Sequence, residues 1–348
     1  MNMPDASSAG TVPDPAPAPP PDSPRDVSAA AAKRNWTDQA LHRFAVVGIW
    51  MAMLLVYTGI EPAKILRAAT FQSIFGSQQA LVFLALAALT TLVVGEFDLS
   101  IASVMGISAT IVPVLAVNHG MNVALASLIA VGAAALCGLV NGFVIVVIGV
   151  EGFVVTLGSG TLLVGLTVLI SNSTTVFGLG SSLAKITLTD FLGLPLSFYY
   201  GLALALAFAY ILSFTPLGRH IAFVGANREV ARLVGIRVGL IRFMSYVTGS
   251  TIAGIGGVLL VAGLGGFDPS SSAAYLLPAL SAVFLGTAVV QPGRFNPLGT
   301  LIGIYFLATG ILGLQLLGLG GWIEDAFYGT ALVIAVAVSS MVRRRKGR

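Results

Sequence analysis

The chain has 348 residues, 56% of them hydrophobic and only 9% charged, with a net charge of +4 and a mean hydropathy of +0.94. Soluble domains carry about 25% charged residues, so this composition excludes a water-soluble globular enzyme and indicates a polytopic membrane protein. The basic residues sit at the ends of apolar runs, which argues against a nucleic-acid partner, and a lone Cys137 excludes a disulfide framework and a Cys-based metal site.

Taken in order, the chain opens on a segment unlike the rest. Eight of the 16 prolines fall between Pro4 and Pro24, mixed with Ala, Ser and Asp. Too little apolar surface is available there to offset ordering entropy, so residues 1–40 are expected to form a disordered, Pro/Ala-rich cytoplasmic tail. A membrane domain is expected over 41–342, followed by a basic cytoplasmic tail, 343–348. Apolar runs long enough to span lie at about 44–60, 72–95, 98–117, 121–149, 152–172, 197–214, 243–263, 273–290, 298–318 and 322–342. The predicted fold is thus all-α, with about ten transmembrane helices in the lipid bilayer. With both termini cytoplasmic, 15 of the 18 Lys and Arg face inward and only Lys64, Arg67 and Lys185 face outward.

The stretch 215–242 breaks the apolar pattern with Arg219, Arg228, Arg232, Arg237 and Arg242 against one acid, Glu229. At roughly 2.5–3.5 kcal/mol per Arg at a bilayer centre, it belongs in water. Asn227 is placed to N-cap a short helix and Gly235 to end it in the left-handed conformation. Between them Val230, Leu233 and Val234 share one face. A two-turn helix cannot stand alone, so this one is expected to pack on a surface; an ordinary inward loop is the plainer reading.

No Gly-x-x-x-x-Gly-Lys-Ser/Thr occurs, so the chain has no recognisable phosphate-cradling loop. Gly158-Ser159-Gly160 hints superficially at a nucleophile but reads better as small-residue packing, as does the Gly-Thr of LGTLIG (298–303). Glu96 and Asp98, in GEFDLSIAS, are the carboxylates closest to membrane depth. Asp98 reads either as an ion or proton site or, preferably, as a helix N-cap beside Ser100. Asn141 lines a polar path or bonds a neighbouring helix. Asp98, Ser100, Ser103, Asn141, Thr156 and Gly158 are the candidate translocation-path residues. Ser100, Ser103, Ser108, Asn141, Thr156 and Ser159 offer hydroxyl and amide groups, and no Lys or Arg lies near the middle of a predicted span, which suits a neutral polyhydroxylated solute. An ion-coupled secondary transporter would need charged groups at the midplane, and these are scarce.

Five separated stretches resemble the monosaccharide (ribose-type) permease subunits of bacterial ATP-binding-cassette importers. They are GEFDLSIAS (95–103), Asn141-Gly142 with FVVTLG (153–158), GRHIAFVGANREVARLVGIRV (218–238), Leu285-Gly286, and GTLIG (299–303). Glu96 stands where that family usually has a second Gly, and Glu151-Gly152 where Pro is common, which marks an outlying member. The resemblance implies that Gly218, Arg219, Gly225, Asn227, Arg228, Ala231, Leu233, Val234 and Gly235 couple the pore to a separate ATPase. It also implies a second permease chain, as homo- or heterodimer, and a periplasmic or lipid-anchored sugar-binding protein. No cofactor is expected in this chain, with ATP and Mg bound by the partner ATPase. Branched-chain amino-acid permeases share the general architecture and are the alternative.

Overall fold

A computed structural model describes residues 45–346. The tail expected over 1–40 lies outside the described residues, as do Gly347 and Arg348. Each of the ten apolar runs falls on a helix. These are α1 (Ala45–Ile60), α2 (Ala68–Leu92), α3 (Ile101–Asn118), α4 (Val123–Ile148) and α5 (Gly152–Ile170); then, after a short α6 (Ser181–Leu188), α7 (Leu196–Phe214). Two further short helices follow, α8 (Pro216–Ala226) and α9 (Arg228–Leu233). The last four are α10 (Val238–Leu264), α11 (Ser271–Gly286), α12 (Pro297–Leu316) and α13 (Trp322–Lys346). By length and composition, seven of them, α2 to α5, α7, α10 and α12, can cross a membrane, while α1 and α11 are shorter apolar helices. The protein is therefore an all-α, multi-pass membrane protein; ten crossings remain the expectation from hydropathy.

Among the described residues, strands occur only as two small antiparallel ribbons. β1 (Val176–Phe177) pairs with β4 (Gly266–Phe267), and β2 (Asp190–Phe191) with β3 (Leu194–Pro195). Leu192 and Gly193, which join β2 to β3, both have positive φ, the geometry of a two-residue hairpin turn.

Burial sorts the helices into two kinds. Every residue from Ala80 to Leu92 of α2 is buried, so this helix is the centre of the bundle. α10 packs along it and along α3 and α4. By contrast α4, α5 and α7 turn Leu128, Leu162, Leu206 and similar side chains outward, as lipid-facing helices do. Close approach of α10 to its neighbours depends on small residues. A side chain at Gly257 would run into the carbonyl of Met105 on α3, and one at Gly138 of α4 would meet Tyr246 O at 2.7 Å. The expected packing role of LGT and GTLIG holds too, since Gly286 and Gly299 face each other and Gly303 lies against the Ala282 carbonyl.

Two helix starts differ from expectation. α10 begins at Val238 rather than near 243, taking Arg242 into the helix, because that guanidinium is paired and needs no aqueous surround. α3 begins at Ile101 with Ser100 as its N-cap residue. Asp98 is therefore not the cap: its Oδ1 accepts from the Ser100 amide (2.9 Å) and hydroxyl (2.6 Å), holding the turn ahead of the helix.

Candidate functional site

The eight residues between α2 and α3 cross to the next helix through a kink at Gly95, whose φ is +76°. At its apex Glu96 is only 7% exposed, a position a carboxylate holds only when paired. Its Oε1 accepts from Arg228 Nη2 at 2.7 Å and from Arg242 Nε at 2.5 Å, and its Oε2 from the Tyr246 hydroxyl at 3.1 Å. Arg228 Nη2 also donates to the carbonyls of Gly95 (2.9 Å) and Val94 (3.3 Å). One acid thus gathers α9, the first turns of α10 and the α2–α3 linker. Sequence reasoning treated Glu96 as a departure from a family pattern and missed this partnership.

The stretch 215–237 is built to sit on that linker. Thr215 N-caps α8, its Oγ1 accepting from the Gly218 amide at 3.2 Å, and Pro216 opens the helix. Gly225 brings α8 against the linker so closely that a side chain there would overlap the Val93 carbonyl; one at Gly218 would overlap the carbonyls of Ile211 and Leu212. Asn227 caps α9 as expected, its Oδ1 accepting from Glu229 N (3.0 Å) and Val230 N (3.1 Å). Gly235 takes the left-handed conformation at φ +80°. Ala231 is fully buried and clusters with Val94, Val224 and Val238. On the other side of α9, Leu233 is 87% and Val234 63% exposed. Arg219 is exposed, and Arg232 pairs with Glu229 at 3.1 Å on the surface. The eleven-residue helix α8 was not foreseen, although its Thr-Pro start is a legible signal.

Of the translocation-path candidates, the structure brings Asp98, Ser100 and Asn141 into one chain of hydrogen bonds. Ser100 Oγ donates to Asp98 and accepts from Asn141 Nδ2 at 2.9 Å. The second Asp98 oxygen is buried without a hydrogen-bond partner. Ser103 lies one turn on, with its Oγ facing Gly160 of α5. Thr156 bonds back to the Gly152 carbonyl of its own helix at 2.9 Å. Gly158 is exposed, with open space around it; it does not join the others.

The family model described as "Branched-chain amino acid transport system / permease component" matches residues 70–336, which include every residue of the Glu96 joint and of the candidate path. The chain belongs to this permease family. It is 26% identical over 302 residues to the Autoinducer 2 import system permease protein LsrC of Salmonella typhimurium, covering 87% of each chain. To the protein of the same name in Klebsiella pneumoniae it is 30% identical over 306 residues, 88% of this chain and 87% of the other. It is also similar to the Probable ABC transporter permease protein y4mJ of Sinorhizobium fredii, at 26% over 303 residues, 85% and 89% of the two. No solved structure matches. As a member of this family the chain is a permease component of a transport system and lies in the membrane.

Proposed function

We propose that this chain forms the pore of an ATP-binding-cassette importer for a small neutral polyhydroxylated solute, a monosaccharide or similar polyol. A separate ATPase subunit, which binds ATP and Mg, docks on α9. A second permease chain completes the pore and a periplasmic or lipid-anchored binding protein delivers the solute. The observation that carries the reading is the position of Glu96. It ties α9, whose Leu233 and Val234 are left exposed, to the linker that starts α3 and its Asp98–Ser100–Asn141 chain. Movement of α9 as the ATPases close would pull on Arg228, and through Glu96 on α3 and α10, rocking the helices between outward-open and inward-open arrangements. Import is supported by relatives named as import permeases, and the cargo class by the hydroxyl and amide groups of Ser100, Ser103, Asn141 and Thr156 along the candidate path.

The expected topology is supported by the same pieces. Segments expected on the inner side (the α2–α3 linker and 215–242) meet at one end of α10. Segments expected outside (176–177 and 266–267) pair at the other end.

The test replaces Leu233 and Val234 by Asp together. Both side chains are exposed, so membrane insertion and folding are expected to survive, while ATPase association and uptake are lost. Survival of association and uptake would reduce the element to a surface loop. The family description favours a branched-chain amino acid as second reading for the cargo. Uptake of leucine with no uptake of any sugar or polyol would decide for it.

A further inference from the structure

At the end of α10 away from Glu96 lies a cavity of about 490 Å³, bounded by the middle of α2 (Gly76–Leu81) and the starts of α11 and α13. Small-molecule sites fall in the range of roughly 300–1,000 Å³. Leu260, Gly263 and Leu264 wall it, whereas Tyr246 touches Glu96; the helix rises roughly 27 Å between Tyr246 and Leu264 at 1.5 Å per residue. Cavity and coupling element therefore occupy opposite ends of the protein. The rim is exposed at Ser77 and Glu324, and the floor is closed by Leu260 and Tyr328, 6% and 7% exposed.

What sets the cavity apart is unused hydrogen-bonding capacity. Gln78, Gln79, Tyr275, Glu324 and Tyr328 line it, and among the described residues none of these side chains bonds to another part of the chain. The Gln79 Oε1 is buried with no partner at all. Gly263 keeps room for that amide, since a side chain there would lie 3.2 Å from its nitrogen. Buried polar groups are normally satisfied, so the buried Gln79 oxygen beside an open space, ringed by polar side chains that bond to no other described residue, is suited to a ligand's hydrogen bonds.

The geometry points to this cavity as the outward-facing binding site for the imported solute, a monosaccharide or small polyol; the assignment rests on the importer reading above. Each hydroxyl of such a solute both donates and accepts. The two glutamine amides offer both kinds of partner, Glu324 accepts from two hydroxyls, and the phenols do either. The rings of Tyr275 and Tyr328 present apolar faces to the C–H side of a sugar ring. No Lys, Arg or His lines the cavity, so an anionic solute finds no counter-charge. A cationic amine would satisfy Glu324 and the rings but leave the amide N–H groups of Gln78 and Gln79 without acceptors.

The experiment uses the full permease–ATPase complex with its binding protein in vesicles, and labelled ribose, xylose, galactose and erythritol as probes. At least one should accumulate on ATP hydrolysis. In Glu324→Gln and in Gln79→Leu, solute moved per ATP hydrolysed should fall about tenfold while hydrolysis itself continues, as weakening of a charge-assisted hydrogen bond in the first and loss of an amide hydrogen bond in the second predict. The same solute at millimolar concentration should slow maleimide labelling of a Ser77→Cys variant carrying Cys137→Ser, placed on the exposed rim, measured without the binding protein. Wild-type transport per ATP in both variants, with no protection, overturns the cavity assignment and leaves the importer reading standing. Accumulation of none of the four probes by an ATP-hydrolysing complex overturns both. Protection by tetramethylammonium and by no polyol overturns the ligand class.

Discussion

The two ends of α10 are built on opposite terms. At the Arg242 end a buried acid has both oxygens engaged, by two guanidiniums and a phenol. At the Leu264 end two amides, two phenols and a carboxylate surround a space and bond to nothing else described. Saturated pairing fixes geometry, because a buried charge stripped of its partners is costly and each partner resists displacement. Unspent pairing costs stability but leaves the groups free to exchange bonds with a solute. The first arrangement suits a joint that must transmit motion, the second a place a ligand enters and leaves. Asp98 is the exception at the inner end: its Oδ2 is buried without a partner, on the candidate path rather than in the joint.

The sharpest way to break the contrast is Glu96→Ala. It leaves Arg242, whose side chain is 18% exposed, and the fully buried Tyr246 facing an empty pocket. Breaking a buried pair by removing one partner costs about 3–5 kcal/mol. A large fall in the thermal midpoint of the purified permease is expected, together with lost coupling. Combining Glu96→Ala with Arg242→Met should recover part of that loss, since the stranded charge is then removed too. Full additivity of the two substitutions in a double-mutant cycle would show that the pair does not interact.

A smaller effect is expected where the joint depends on close backbone approach rather than charge. Gly225→Val would force α8 off the Val93 carbonyl, an overpacking cost of about 1–3 kcal/mol. Because α8 can tilt outward on a surface without crossing the bundle core, the displacement should appear chiefly as ATP hydrolysis no longer matched to transport. A variant with unchanged stability and unchanged coupling would mean that the contact is incidental.

How much of this was readable from residues alone depended on range along the chain. The spans were legible because each is a local run of apolar side chains, and so were the Asn227 cap and the Gly235 exit from α9, which use neighbours two to four residues away. GTLIG declared itself as packing by its small residues. The Glu96 joint was not legible: its partners lie more than 130 residues away, and no periodicity encodes such pairing. For the same reason the start of α10 was set too late, with Arg242 assigned to water because its counter-ion could not be seen. Asp98 looked like a cap from its place two residues ahead of a helix, yet its carboxylate spends itself on Ser100. The cavity had no signature at all, being assembled from the ends of separate helices whose individual Gln, Tyr and Glu look like ordinary loop polarity.

The smallest effect on stability is expected at the cavity, where transport per ATP is nonetheless proposed to fall about tenfold. Glu324 is exposed and has no hydrogen bond or ion pair among the described residues, so Glu324→Gln removes nothing the fold relies on. Its thermal midpoint should match wild type within the equivalent of about 0.5 kcal/mol. Gln79→Leu goes further: it replaces an amide with a buried, unsatisfied oxygen by an apolar group of similar size, a change that is neutral or stabilising where no partner existed. Functional sites commonly hold such unsatisfied groups at the expense of stability. The two variants should therefore unfold at or above the wild-type midpoint even as solute moved per ATP falls. A loss of more than about 1 kcal/mol in either would mean that these side chains brace the outer end, and the two ends of α10 would no longer differ in kind.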